Sequence, residues 1–470
     1  MIILQNYDKM KALLQTALKK ADVDYCEVRF ENSRELLIMF QGTALERVDN
    51  ETLYGGNVRA LHKGGWGFAS FNNLDDLDAN IKLACDQAKA AGEIVNEEGF
   101  KLYPVPVVEK DFCPVWILHP ESVSLQEKFR ILSHYQQLVL SYEGIPASNV
   151  YHLERCTTLY FANSEGTFTR QEKVDFSGRV GANGRKGDLS LSQGVSYGSS
   201  LGLHGMLNLD EQIKEMCERT IKLLDAPSIK AGVYTVVCDP VHTGIFVHEA
   251  FGHTSEADDL FKDKGALESM QLGRVLGKPI LNIYETGDLF TSRGALAYDD
   301  EGVETKRVDL IKDGVLVGRM HSRWSAAKLA HEGAVPTGSA RAMNYEHPPI
   351  VRMRNTSIAP GESTFEDMIK DVKLGLYAVG GGSGETNGEM FNFDASYGIM
   401  IRDGKLAELV RDVKLSGNVF TTLENIDMIG NDPTADDSPG GCGKNEQSPL
   451  PTSSKSPHIR IQNVVVGGVQ

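Results

Sequence analysis

The hexapeptide His248-Glu249-Ala250-Phe251-Gly252-His253 places two imidazoles and one carboxylate within six residues. Neutral imidazole nitrogen is a ligand for a divalent metal such as zinc, and a hydrolytic site keeps one coordination position open for water. Glu249, beside the first histidine, is then placed to take a proton from that water. The familiar zinc-protease helix spaces its histidines four apart on one face, H-E-x-x-H. Here they are five apart. At about 100° per residue a regular α-helix turns through about 500° in that interval and leaves the second ring about 140° from the first. Chelation by this pair therefore requires a π-bulge, which inserts one residue into a turn, or a helix that breaks near its end. Gly252 lies where the distortion is needed and tolerates unusual backbone angles. The same residues also fit a solvated helix face with no chemistry.

Two histidines do not complete a catalytic zinc site, which normally has three protein ligands. His242, Glu256, Asp258 and Cys442 are the candidates for the third. Gly440, Gly441 and Gly443 around Cys442 leave the backbone free to bring up a thiolate, and a neighbouring metal readily deprotonates a thiol. Other motifs carry less. Gly194-Val195-Ser196-Tyr197-Gly198 matches the G-x-S-x-G nucleophile elbow, which needs a buried strand before it and a helix after it; Ser199, Ser200 and Gly202 instead continue a glycine- and serine-rich run. Gly443-Lys444 lacks the first glycine of a P-loop and is followed by Asn445. His331-Glu332 has no second histidine in range and is expected in a surface loop.

The 470 residues exceed one ordinary domain, and 41% hydrophobic with 24% charged residues is the composition of a soluble globular protein. A net charge of -16 argues against nucleic acid as a direct partner. The amino terminus MIILQNYDKMK has no basic region before its apolar run and does not read as a signal peptide. No apolar run is long enough for a transmembrane helix. A cytoplasmic location is expected. The seven cysteines are scattered without a C-x-x-C pair, which speaks against a disulfide framework.

The elements that must position these residues follow from periodicity. Tyr7, Met10, Leu13, Leu14, Ala17 and Leu18 predict an amphipathic helix. Short strands are predicted at 25–30 and 35–40, with a glycine-interrupted sheet continuation over 52–70. A second helix spans Leu74 to Ala88. A third is capped by Ser124 with Glu127 and is expected to bury Leu125, Phe129, Leu132 and Val139. Short strands and turns over 150–205 precede a helix at 210–224, and Asp225-Ala226-Pro227-Ser228 is the expected boundary between an N-terminal domain, 1–225, and a C-terminal one, 226–470. The second half opens with a strand at 234–238, Asp239 as helix N-cap and Pro240 at the first helical position. Asp-Gly pairs in 310–317 and 399–406 predict hairpins. The acidic, turn-rich stretch 430–441 is expected to be a mobile loop or lid. The fold class is α+β, with amphipathic helices on a sheet in the first domain and a mostly antiparallel second domain carrying the metal-binding helix.

Several long segments occur in order: HEAFGHTSEAD (248–258), AYDDEG (297–302), PTGSAR (336–341) and the C-terminal MIGND and GGCGKNEQSP, with CEVRFENS and GGNVRALHKGGWGFAS in the first half. Together they resemble the TldD/PmbA family, historically labelled modulators of DNA gyrase, and specifically its TldD type, which carries H-E-x-x-x-H. The resemblance implies a zinc metallopeptidase in which His248, His253 and Cys442 bind Zn2+ and Glu249 is the catalytic base. It further implies cleavage of peptides or unfolded polypeptides inside a dimer-enclosed chamber, formed with a PmbA/TldE-like subunit or by a homodimer. After Ser448 the segment PLPTSSKSP follows its own course. The alternative function is a non-catalytic partner-binding protein with a structural metal site.

Overall fold

The computed structural model describes residues 6–467 apart from 259, 290 and 383. The first helix, Tyr7–Leu18, is capped by Asn6 and buries Met10, Leu14, Ala17 and Leu18, as its periodicity predicts. The sheet that follows departs from the short strands expected. A single 18-residue strand, Tyr25–Gly42, replaces the predicted pair, and Ala44–His62, Ala147–Asn163 and Phe168–Lys186 are equally long. The polar run Glu31-Asn32-Ser33-Arg34 resembles a break only if both sheet faces must be apolar. They are not. Even-numbered Val28, Phe30, Ile38 and Phe40 pack under the helices, while odd-numbered Glu27, Arg29 and Glu31 are buried on the opposite face, the alternation of a pleated strand.

The strand order is 65–71, 44–62, 25–42, 147–163, 168–186, with 109–112 and 189–199 both pairing with 168–186. Helices Leu77–Val95, Leu125–Leu140 and Asp210–Asp225 join the first helix in covering the apolar face. Ser124 caps the third as predicted, yet Leu125 and Phe129 remain 45% and 38% exposed; Phe129 lies against Phe40, with ring centroids 5.4 Å apart.

The second half is built on a nine-stranded mixed sheet. Gly232–Cys238 lies near its centre between Ile459–Gly467 and Leu374–Val379, the latter pairing being parallel. Asp239 then caps the helix Pro240–Val247, its carboxylate accepting from His242 N–H at 2.7 Å. Both predicted Asp-Gly hairpins form, with positive φ at Asp313, Gly314, Asp403 and Gly404, the type I′ geometry that matches strand twist. The stretch 430–441, expected to be a mobile loop or lid, contains a short strand and is bonded to the body of the protein. Thr434–Asp436 pairs with Ser454–Ser456, and Arg293 binds the carbonyls of Ser438 and Gly440. No helix among the described residues is long and apolar enough to cross a membrane.

The polar sheet face of the first half meets the second half through buried charge pairs. Arg59 bridges Glu27 at 2.6 Å and Glu301 at 2.7 Å, and Arg293 binds Asp175 at 2.7 Å. Here the segment AYDDEG acquires a role that spacing did not reveal. Asp299 accepts the N–H groups of Glu301, Val303 and Ala340, Asp300 accepts that of Ala342, and Glu301 accepts that of Arg323 as well as the Arg59 guanidinium. Removing one member of a buried ionic network leaves its partner uncompensated. Glu301→Ala is therefore expected to destabilise the folded chain by about 3–5 kcal/mol, read as a lower midpoint in chemical denaturation.

Candidate metal centre

The helix entered at Pro240 does not continue regularly. From His248 to Gly252 it is a π-helix, closed by the N–H of His253 donating to the carbonyl of His248. The widened turn adds the one residue that five-apart histidines require, and their rings come to a centroid separation of 5.3 Å. The sequence-based role of Gly252 needs correction. Its φ and ψ of -55° and -51° are ordinary helical values; what the position requires is space, because a Cβ there would stand 2.0 Å from the sulfur of Met353. Thr254 and Ser255 hydroxyls bind the carbonyls of Phe251 and Gly252 and finish the turn.

Cys442 arrives from a hairpin, Cys442–Lys444 against Gln447–Leu450, turned at Asn445 and Glu446 with φ of 48° and 65°. The fully buried Arg352 clamps both strands, donating to the carbonyls of Cys442 at 2.6 Å and Gln447 at 3.1 Å. The Cys442 sulfur lies 3.3 Å from Nε2 of His253, and the donor atoms of His248, His253 and Cys442 lie within 4.8 Å of one another. In a tetrahedral zinc site with Zn–N of about 2.0–2.1 Å and Zn–S of about 2.3 Å, donors are about 3.3–3.6 Å apart. The three side chains fit such an ion after small movements.

The remaining third-ligand candidates lie elsewhere. Glu256 is buried behind His253, its carboxylate 3.2 Å from Nδ1, and also accepts from the N–H of Met353 at 3.2 Å. Lys444 joins Glu256 at 3.1 Å to Asp258 at 2.6 Å. His242 sits with Nδ1 3.0 Å from the carbonyl of Gly380, outside the cluster. Glu249 stands beside the donor set, its carboxylate 3.9 Å from Nε2 of His253.

The electrostatics suit a cation. Burial alone would push the Cys442 thiol up, but the flanking imidazoles of His248 and His253 reverse this and bring it down to about 6. Burial disfavours the His253 imidazolium, yet Cys442 and Glu256 outweigh it and raise this group to about 10; His248 is raised in the same way through Cys442. The carboxyl of Glu256 is held low against burial by His253 and Lys444. Without an ion the cluster pairs a thiol of lowered pKa with imidazoles of raised pKa, and a divalent cation would take the place of the protons they hold. His248, Glu249 and Gly441 open onto a cavity of about 710 Å³ between the halves, also lined by Ser196 and Gly380–Gly382.

Three family models match in succession: the PmbA/TldA metallopeptidase domain 1 over residues 26–92, the central domain over 118–224 and the C-terminal domain over 231–468. The chain belongs to the PmbA/TldD metallopeptidase family. It is 40% identical over 451 residues to a metalloprotease of Synechocystis sp., covering 96% of each chain. It is 34% identical over 287 residues to a zinc metalloprotease TldD homolog of Saccharolobus solfataricus, covering 60% of this chain and 63% of that one. In fold it matches TldE from Thermococcus kodakarensis with a TM-score of 0.77 at 17% identity, over 98% of this chain and 100% of that one.

For this PmbA/TldD chain the other motif readings resolve plainly. Gly194–Gly198 lies inside the strand Leu189–Ser199, paired with 177–181, so Ser196 is on no nucleophile elbow. His331 is exposed in a single turn at 330–332. Reasoning from sequence missed Lys444 and Arg352. The first was visible two residues beyond Cys442, where a strand returns to the same face; the second had no local signal. A carboxylate that fixes a metal-binding imidazole typically contributes about 10–100-fold to metal affinity. Glu256→Gln is expected to weaken zinc retention by about that factor in competition with a chromogenic chelator, with the circular dichroism spectrum unchanged.

Proposed function

We propose that this chain is a zinc-dependent peptidase that hydrolyses peptides or unfolded polypeptides, with His248, His253 and Cys442 holding the metal and Glu249 acting as general base. One observation carries the reading: two imidazoles and a thiolate converge on one point at a cavity wall, with the Glu249 carboxylate beside them. A structural zinc site closes with four protein donors, whereas the described residues bring three together. Zinc bound there would polarise a peptide carbonyl and lower the pKa of water.

The chain's own residues supply the rest. Glu249 accepts the proton of the attacking water and passes it to the leaving amine. Glu256 holds His253 through Nδ1 and so keeps Nε2 turned toward Cys442. Gly384–Asn387 is the terminal strand of the nine-stranded sheet, and Thr386 donates to the backbone carbonyl of Glu249 at 2.9 Å. An extended substrate added along this edge would be held by backbone hydrogen bonds, giving affinity without sequence preference. We further propose that residues 1–225 form the wall of a chamber closed by a second subunit, either a TldE-like chain or another copy. The fold shared with TldE supports this pairing.

Elemental analysis should find about one zinc per chain in the wild type, falling below a tenth of that in Cys442→Ser, and chelation should stop cleavage of an unstructured peptide pool. Glu249→Gln separates binding from chemistry. It should keep its zinc while turnover falls about 10²–10⁴-fold, the range of a lost general base. Wild-type turnover in that variant would remove Glu249 from the mechanism.

A further inference from the structure

Among the described residues, the cavity that receives His248 and Glu249 is lined by one arginine that the mechanism does not use. Arg179, on the strand Phe168–Lys186, lines its first-half wall together with Gly194, Ser196 and Gln212. The other half-buried or buried arginines of this sheet face carboxylates: Arg29 faces Glu31 and Asp300, Arg59 faces Glu27 and Glu301, Arg155 faces Glu35, and Arg170 faces Asp111. Arg179 makes no hydrogen bond or ion pair among the described residues. Of the acids sharing the cavity, Glu249 lies beside His253 at the metal-ligand cluster, and the two aspartates are engaged with other groups. Asp437 accepts from the N–H of Arg293 and the hydroxyl of Ser453, and Asp436 accepts from Ser438.

The guanidinium is also built into place. Cross-strand Gly194 leaves its backbone open, and a Cβ there would lie 2.4 Å from Nε and 2.5 Å from Cζ of Arg179. The side chain therefore lies across the glycine, partly withdrawn from water, and burial alone holds it below the usual arginine range. A guanidinium is the side chain best shaped for two parallel bonds to a carboxylate, and desolvation without a partner is a cost that a bound anion relieves.

We infer that Arg179 is a substrate subsite that binds a carboxylate of the peptide, so that the cavity favours peptides bearing a free C-terminal carboxylate or an acidic side chain. The inference rests on the cavity being the substrate site. The chain's overall charge of -16 repels acidic peptides at long range, so the preference is local to the cavity.

The test uses binding, so that it does not depend on turnover. Fluorescently labelled peptides of one neutral sequence are prepared as the C-terminal amide, as the free acid, and as the amide with a single Glu in place of Gln. Their affinities are measured by polarisation on the full-length Glu249→Gln protein, and again with Arg179→Gln, Arg179→Lys or Gly194→Ala added. On Glu249→Gln one acidic peptide should bind about 10–100-fold more tightly than the neutral amide, as for a hydrogen bond to a charged group. The free-acid arm identifies the terminal carboxylate and the Glu arm a side chain. Arg179→Gln should bring that ratio to about one, Arg179→Lys should keep part of it, and Gly194→Ala should lower it by displacing the guanidinium. Equal binding of all three peptides to Glu249→Gln, or a preference that survives Arg179→Gln, overturns the proposal. A preserved acidic preference in a protein that cleaves nothing before the Glu249 change would sink the peptidase reading and leave the subsite standing.

Discussion

The hydrogen bond from His253 N–H to the carbonyl of His248 is the constraint on which the candidate metal centre depends. With four-apart bonding throughout, the two rings would diverge, and no movement of Cys442 could reunite them. A π turn has poorer packing along its axis and needs outside support. Support comes from several sides at once. Met353 fills the space left by Gly252, strand Gly384–Asn387 binds the Glu249 carbonyl through Thr386, and Met320 exchanges backbone hydrogen bonds with Ser255 and Ala257. The distorted turn is therefore held by tertiary contacts, and its sequence carries the spacing without the means to enforce it.

A second layer fixes the thiolate. Arg352 has no flexible freedom where it lies, wholly buried, and its two bonds to the Cys442 and Gln447 carbonyls set the height of the hairpin. Lys444 then ties that hairpin to Glu256 and Asp258 on the segment leaving the π turn. His253 and Cys442 are thus joined twice, once through their own donor atoms and once through the His253–Glu256–Lys444 chain behind them. The cavity has a similar double closure. Its two walls come from the two halves of the chain, held by the Arg59 and Arg293 ion pairs, so the site's shape depends on charges that are themselves outside the donor set.

This division explains what was legible in the sequence. Elements whose cause is local were read correctly: the first amphipathic helix, the Ser124-capped helix, the Asp239-Pro240 helix start, the two Asp-Gly hairpins and the need for a π turn or a break between His248 and His253, of which the structure has the π turn. Elements whose cause is a distant partner were not. The 18-residue strand through Glu31 and Arg34 forms because its polar face is satisfied by Asp300 and by the backbone of Tyr345, more than 250 residues away in sequence. The stretch 430–441 looks mobile until Arg293 takes its carbonyls. From the residues, His242, Glu256, Asp258 and Cys442 were all candidates as companions to the histidines, and only the glycines around Cys442 set it apart. Distance along the chain does not separate them, since the one brought into place comes from 189 residues beyond His253.

A thiolate beside an imidazole is also the pairing of a cysteine nucleophile, so the donor arrangement must be weighed against that chemistry. A nucleophilic cysteine pairs with one histidine, whose far nitrogen is oriented by a third group, and its sulfur faces the substrate. Part of that pattern is present, because Glu256 orients His253. The rest differs. Both rings act on the same sulfur and each lowers its pKa, which leaves neither free to serve the leaving group. Cys442 itself is only 5% exposed, whereas the Glu249 side chain is 26% exposed at the cavity. The more exposed group at the cavity is thus the carboxylate, and the sulfur belongs to a set turned inward on itself. That division of exposure favours metal-assisted attack by water over attack by the thiolate.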